Sequence, residues 1–461
     1  MSMFQRFLNL GSATKEKEEP KLNQVLPSTV EELSDGQPYN PYTEILVLQE
    51  HKDIVRSLLK IDKYRCVSVA DDCKAVIWDI HIGQRLAVLS GHTHPITCML
   101  LLKPQTNAVA DWLLVTGSSD KLIKVWDIST GYCHQSISDH ASSVRCLVSL
   151  TEDCQLFCSG GESLAVWQHD GRLLHAYTRG GEEEDISFMI VIQNERVVTA
   201  ADKIIVVYSV ITPEDGGEPD DKKIRLVKKL PPHREAIHSL INISESCFAS
   251  GSIDGTIILW TTQNLIPAKY FNTVTEYVGD AKLYPYSIQS MFCAQEKYLF
   301  ATIGSGFCVF DVSVGQERLM VKKLAAHYSK ILHIGFACDG AYLVTCSEDG
   351  SIRLWGKTPI SDDSGSSDRD ICTLGPMERF TGLRGDQLRQ CCHSDNLLEP
   401  SLLGECTAHS GSVQMFLDFD HEGLVSCGGD NLLIVWKNAE MQKIQRNQKV
   451  QEILFSRDGI V

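Results

Sequence analysis

The chain lacks most of what would mark an enzyme, a membrane protein or a nucleic-acid binder. Its 461 residues contain no GxSxG, no phosphate-binding P-loop, no kinase set, and no carboxylate pair beside a plausible cleft. No catalytic residue and no cofactor is therefore expected. No apolar run reaches the roughly 18 residues a spanning helix needs, so no direct membrane span is expected and any membrane role would be by recruitment. The start, MSMFQRFLNL, has a short apolar face but no long hydrophobic core and no cleavage signal, and Met-Ser is not a Met-Gly acylation start. Positive charge is scarce: 43 Lys and Arg face 59 Asp and Glu, a net charge of −16, with acidic clusters at 182–185 and 214–221. A nucleic-acid binder would show a basic stripe, so nucleic acid is not an expected partner. The 17 cysteines form no CxxC pair. Many, such as Cys66, Cys146 and Cys346, sit in strand-like runs and read as small apolar residues of a reducing compartment. Cys391, Cys392 and His393 are adjacent but lack zinc-finger spacing, so no metal site is expected.

What is present is a recurrence. A His opens it, a small hydroxyl residue follows, then an Asp, then a Trp six residues later. The sets are His51, Ser68, Asp72, Trp78; His92, Thr116, Asp120, Trp126; His233, Ser250, Asp254, Trp260; His327, Thr345, Asp349, Trp355; and His409, Ser426, Asp430, Trp436. Six of the seven Trp residues occupy this one repeat position, and only Trp112 does not. The His-to-Trp spacing is 27 residues for His51–Trp78, His233–Trp260 and His409–Trp436. That length fits a few short strands with tight turns. Runs such as KLIKVW and GTIILW are β-branched. One four-stranded sheet cannot bury both its faces, but several stacked radially can. The Asp suits a tight turn, and a buried indole N–H needs an acceptor that the hydroxyl can supply. Because His, Ser and Asp recur once per unit, they argue for structure and against a catalytic triad.

These features resemble the WD-repeat family, with the dipeptide itself at Trp78-Asp79 and Trp126-Asp127. The resemblance implies an all-β chain, a β-propeller. Three degenerate units end on Trp167, Tyr208 and Phe310, which brings the expectation to eight blades; the alternative is seven, with one degenerate unit an insertion. Residues 1–38 read as a flexible, charged tail, 39–437 as the propeller, and 438–461 as a C-terminal helical tail free of Gly and Pro until Gly459. The strand in NPYTEILVLQEH at 40–51 precedes the first His and is expected to complete the last blade, closing the ring. KPQTNAVADW and residues 211–230 read as surface hairpin extensions, and 273–287 as a packed linker or a contact patch. The longest interruption, 357–400, is expected between the last two strands of blade seven. It joins an acidic, Ser-rich tract at 361–368 to an apolar, Gly-punctuated stretch at 374–385.

The order NPYTEILVL, HKDIVRSL, SEDGSIRLW, GSVQMFLDF, LLIVWKN is similar to the WD repeat-containing protein 41 family from about Asn40 to Asn438. That resemblance implies a non-catalytic subunit, cytoplasmic and peripherally recruited to lysosomes. The implied partners are two DENN-domain proteins, the chromosome-nine open-reading-frame-72 product and the Smith–Magenis region protein, in a complex tied to autophagy and small-GTPase regulation. It implies binding through the chain ends, here Tyr42, Glu44 and Leu46 in the leading strand and Met441, Ile444, Ile453 and Leu454 in the tail. It also implies that the long loop docks on a PQ-loop lysosomal cationic amino-acid transporter, here through Met377, Phe380, Leu383 and Arg384, with Phe380 the one aromatic in PMERFTGLRG. The competing expectation is a substrate receptor of a cullin ubiquitin ligase. Such receptors often carry Arg two residues after the WD pair, where this chain has His81 and Ser129.

Overall fold

A computed structural model describes residues 30–33, 40–103, 112–151, 154–180, 184–193, 195–211, 222–272, 286–313, 318–338, 340–357, 375–383, 397–439, 443 and 447. They form eight four-stranded antiparallel sheets. The leading strand is β1 (Glu44–Gln49). Blade one is β2 (Val55–Lys60), β3 (Arg65–Ala70), β4 (Ala75–Asp79) and β5 (Gln84–Leu89). Blade two is β6 (Ile96–Leu102), β7 (Leu113–Ser118), β8 (Ile123–Asp127) and β9 (Cys133–Ile137). Blade three is β10 (Cys146–Ser149), β11 (Leu156–Gly160), β12 (Ser163–Gln168) and β13 (Leu173–Thr178). Blade four is β14 (Phe188–Ile192), β15 (Arg196–Ala201), β16 (Ile204–Ile211) and β17 (Lys223–Lys229). Blade five is β18 (Ile237–Ser244), β19 (Cys247–Ser252), β20 (Thr256–Thr261) and β21 (Pro267–Asn272). Blade six is β22 (Met291–Ala294), β23 (Tyr298–Ile303), β24 (Gly306–Asp311) and β25 (Arg318–Lys323). Blade seven is β26 (Ile331–Ala337), β27 (Tyr342–Ser347), β28 (Ile352–Gly356) and β29 (Ser401–Cys406). Blade eight has β30 (Val413–Asp418), β31 (Leu424–Gly428) and β32 (Leu432–Lys437), with β1 as its fourth strand.

The eight-bladed expectation and the ring closure both hold, and the three degenerate units are complete blades. β1 runs antiparallel to β32 from Glu44 opposite Lys437 to Gln49 opposite Leu432. The core lies between blades. Trp78, for example, packs with Leu48, Leu433 and Val435 across the junction of blades one and eight.

Each repeat Asp forms the turn between second and third strands for a local reason. Asp72, Asp120, Asp254 and Asp349 accept the amide of the residue two ahead at 3.1, 2.9, 2.9 and 2.9 Å. The residue in between takes positive φ: Cys73, Lys121, Gly255, Gly350, and Asn431 after Asp430. An Asx turn supplies that geometry and tolerates a left-handed residue.

Two expectations need correction. Residues 30–33, read as part of a free tail, are hydrogen-bonded to blades six and seven, because Glu31 and Glu32 meet cations and hydroxyls there. The stretch at 374–385, apolar, Gly-punctuated and implied to dock on a transporter, contains α1 (Pro376–Thr381). Pro at its first position, the Gly375 amide bonded to Glu378 at 2.9 Å, and Gly382 at φ 65° after its end make it a capped single turn and a half. Ala439, Lys443 and Asn447 are helical, as expected of the tail. Met441, Ile444, Ile453, Leu454 and Arg384 lie outside the described residues.

Candidate interaction surface

The recurring side chains meet as connected sets. In blade one His51 Nδ1 lies 3.0 Å from Asp72, His51 Nε2 2.8 Å from Ser68, and the Trp78 indole donates to the same hydroxyl at 2.8 Å. Blade two repeats this with His92 to Asp120 at 2.9 Å, to Thr116 at 2.8 Å, and Trp126 to Thr116 at 2.9 Å. Blade eight has His409 to Asp430 at 2.9 Å, to Ser426 at 2.7 Å, and Trp436 to Ser426 at 2.8 Å. In blade seven His327 reaches Thr345 at 2.7 Å and Ser351 at 2.9 Å, with Asp349 at 3.4 Å, and Trp355 donates to Thr345 at 2.9 Å. Blade five is incomplete: His233 bonds Ser250 at 2.6 Å and Trp260 bonds Ser250 at 2.8 Å, but His233 Nδ1 is buried without a partner among the described residues. The degenerate blade three keeps one bond, Trp167 to Ser159 at 2.7 Å.

This arrangement cannot act on a substrate. All five hydroxyls are fully buried. Burial lowers the imidazole pKa of His51, His92, His327 and His409, against the pull of the neighbouring carboxylate. In His233, where that pull is weakest, burial takes it down to about 4. Burial alone would raise Asp349, but bonds from His327 and Ser351 hold it well below the usual carboxylate range. Burial likewise pushes the Cys66 and Cys158 thiols up to about 12, so neither is a nucleophile at neutral pH. Among the described residues no group of His, Cys, Asp or Glu is placed to hold a metal.

The surfaces able to meet a partner are elsewhere. On β1 the alternation leaves Ile45 and Val47 outside, 54% and 47% exposed, while Leu48 is buried. Of the residues singled out on this strand, only Glu44 is exposed. Leu46 is half-buried, its Cδ2 filling the space beside Gly83. Tyr42 is 5% exposed, packed with Leu403 and Phe416 and with its hydroxyl 3.5 Å from Cys338 Sγ, so it anchors the strand rather than presenting it. Across the seam, blade one adds exposed Ile82 and Leu86, and Arg85 pairs with Glu50 at 2.5 Å. Ile45 and Val47 were readable from the period of two along EILVLQ, had the outer strand's phase been set by Leu48.

The docking residues assigned to the long loop are also repositioned. Met377 and Phe380 are 0% and 1% exposed, and the Phe380 ring stands 6.0 Å from Phe300 and 6.1 Å from Phe336. Leu383 packs on the same cluster. An apolar face on a single helical turn must be covered, and the blade six–seven junction covers it. Met377 and Phe380 therefore cannot be the side chains that a transporter meets. Nearby, Leu398 bridges in parallel to Val321 and donates its amide to Met320 at 2.8 Å.

A family model described as WDR41, a β-propeller, matches residues 10–446. The chain belongs to the WDR41 β-propeller family. It is 31% identical over 444 residues to WD repeat-containing protein 41 of Homo sapiens, covering 92% of this chain and 94% of that one. It is 30% identical over 437 residues to the Mus musculus protein of the same name, covering 92% and 93%. Among solved structures it is similar to the computationally designed Ika8 protein, with a TM-score of 0.58, 22% identity, and coverage of 85% of this chain and 98% of that one. That likeness concerns the fold alone. Membership of the WDR41 family and the repeat geometry fit a WD-repeat scaffold for protein–protein interaction. Among the described residues no helix is long and apolar enough to cross a membrane.

Proposed function

We propose that the chain is a non-catalytic adaptor subunit of a DENN-domain protein complex that acts in autophagy and small-GTPase regulation and is recruited to lysosomes through a cationic amino-acid transporter. Its membership of the WDR41 family carries this reading, since the match extends over nearly the whole chain. The joined ends of the ring support it physically. An outer strand with Ile45 and Val47 exposed, continuous with the residue from which the C-terminal tail departs, is an apolar edge a partner can cover. Transporter docking is assigned to the interruption between Gly356 and Ser401 without Met377 and Phe380.

The test is affinity purification of the full-length chain from cells, read by mass spectrometry. Recovery of DENN-domain proteins supports the proposal; recovery of cullin adaptors in their place overturns it. A chain lacking residues 439–461 is expected to stay folded and to lose the DENN partner. A chain lacking 358–374, with α1 retained, is expected to keep the DENN partner and to lose its sedimentation with lysosomes.

A further inference from the structure

The outer rim where blades six and seven meet holds a contact that neither ring closure nor the adaptor reading uses. Residues 30–33 lie across it. The Glu31 carboxylate accepts from Lys323 Nζ at 2.6 Å and from the Leu402 amide at 3.5 Å. The Glu31 main-chain carbonyl accepts from Arg353 Nη1 at 2.9 Å, and Glu32 accepts from the Tyr328 hydroxyl at 2.9 Å. Two successive carboxylates and one backbone carbonyl are thus read by groups from β25, β28, β29 and the turn before β26.

The receiving side is built. Arg353 is 2% exposed. It stands two residues before Trp355, where blades one, three, five and eight carry Val76, Ala165, Ile258 and Ile434. Its guanidinium is fixed from within the propeller, by Nε to Glu405 at 2.9 Å and Nη1 to the Ala326 carbonyl at 2.9 Å, and it lies 5.5 Å from the Tyr328 ring. Lys323 Nζ stands 5.5 Å from the Trp355 ring. Arg353 is therefore held by contacts that do not involve residues 30–33, as preorganised recognition requires, while Tyr328 is 64% exposed and presents its hydroxyl from the rim.

The occupant is different in kind. It brings charge and backbone but little bulk: Leu33 is 42% exposed and Val30 is only half-buried. The Glu31 and Lys323 side chains are 32% and 27% exposed, so the pair is partly screened and reversible. Asn40, a few residues on in the sequence, is fixed to the Glu405 carbonyl at 2.8 Å, and covalent attachment to it raises the local concentration of residues 30–33.

We propose that this rim is a recognition groove for an extended acidic peptide of a partner protein, and that residues 30–33 occupy it in cis as a competing stand-in. Charge complementarity favours this occupant: on a chain of net charge −16, Lys323 meets the first carboxylate, the Tyr328 hydroxyl the second and Arg353, paired with Glu405, the backbone between them, so adjacent carboxylates are selected without a particular apolar neighbour. The proposal does not depend on which complex the chain joins.

The test uses the full-length chain and a fluorescein-labelled peptide, STVEELSD, which copies residues 28–35. Anisotropy at low salt is expected to show weak binding to the wild type. The double variant Glu31→Gln/Glu32→Gln, freed of its internal competitor, is expected to bind about tenfold more tightly or better. Adding Lys323→Glu or Tyr328→Phe to that variant is expected to reverse the gain with the melting curve unchanged, and STVQQLSD is expected not to bind. If the double variant binds no more tightly than the wild type, or if Lys323→Glu leaves its affinity unchanged, residues 30–33 are a fixed latch and the groove is not a peptide site.

Discussion

Ile45 and Trp436 are Cα partners across the ladder that joins the first strand of the ring to its last. Trp436 is 3% exposed and bonded to Ser426, while Ile45 is 54% exposed. One pair of residues therefore belongs at once to the repeat core and to the outer edge. Ring closure and surface presentation are served by the same six-residue strand.

Deleting residues 41–48 is expected to lower the melting temperature sharply, because it uncovers β32 and removes buried Tyr42 and Leu48. Leu48→Ala alone is expected to cost about 2–5 kcal/mol. Scanning calorimetry measures both, and a melting curve indifferent to the deletion would contradict an energetic role for closure.

Replacing Ile45 and Val47 together by Thr keeps β-branched residues on the strand while removing exposed apolar surface. The melting temperature is expected to hold within a few degrees, and recovery of the proposed DENN-domain partner to fall about tenfold or more. Undiminished recovery would move the interface off this strand.

Ser426→Ala is expected to cost about 1–3 kcal/mol, since it strands the Trp436 indole and one nitrogen of His409 in the core. Combined with Trp436→Phe, the loss should be smaller than the sum, because both substitutions break one network. Strict additivity in urea unfolding would mean that the shared hydroxyl couples nothing.

Phe380→Ala is expected to destabilise by about 3–5 kcal/mol, as for a core aromatic. A change within about 0.5 kcal/mol in denaturant unfolding would return Phe380 to the surface.

The His233 imidazole sets a pH dependence. Its pKa is about 4 in the folded chain, below the ordinary imidazole value of about 6.5, so the unfolded chain takes up the proton first. Its effect is absent at pH 7, where both states are neutral; folding weakens as pH falls from about 6.5 and the loss levels off below about 4. His233→Gln is expected to make the stability profile less steep across that window, leaving the slope contributed by the other lowered imidazoles such as His333, measured as urea midpoints from pH 7.5 to 4.5. A variant profile as steep as the wild type's would assign the slope to other groups.

The repeat was legible because an Asx turn and a buried indole each demand particular residue types at fixed spacing. Blades four and six lack most of those residues, yet VVTAADKIIVVY and YLFATIGSGFCVF still form strands, since β-branched and aromatic runs buried on both faces suffice. Ring closure followed from one strand lying ahead of the first His. What stayed hidden depends on distant partners. That Tyr42 is an anchor and not a partner contact is not visible locally, because Leu403 and Phe416, which bury it, lie hundreds of residues away. The capping signals of Pro376 and Gly382 were present, but the hydrophobic wall that makes so short a helix worth forming belongs to blades six and seven. Arg353 sits in SIRLW like any repeat residue, and nothing local announces that Glu31 reaches it.

The ladder between β1 and β32 also dictates an order of events at the ribosome. The strand synthesised first cannot pair until the strand synthesised almost last has emerged, a delay of tens of seconds at about 5–20 residues per second. Through that interval the growing toroid holds an open flank at each end. A chain that ends before Leu432 can never shut, and its unguarded edges make it a ready substrate for chaperones and for aggregation.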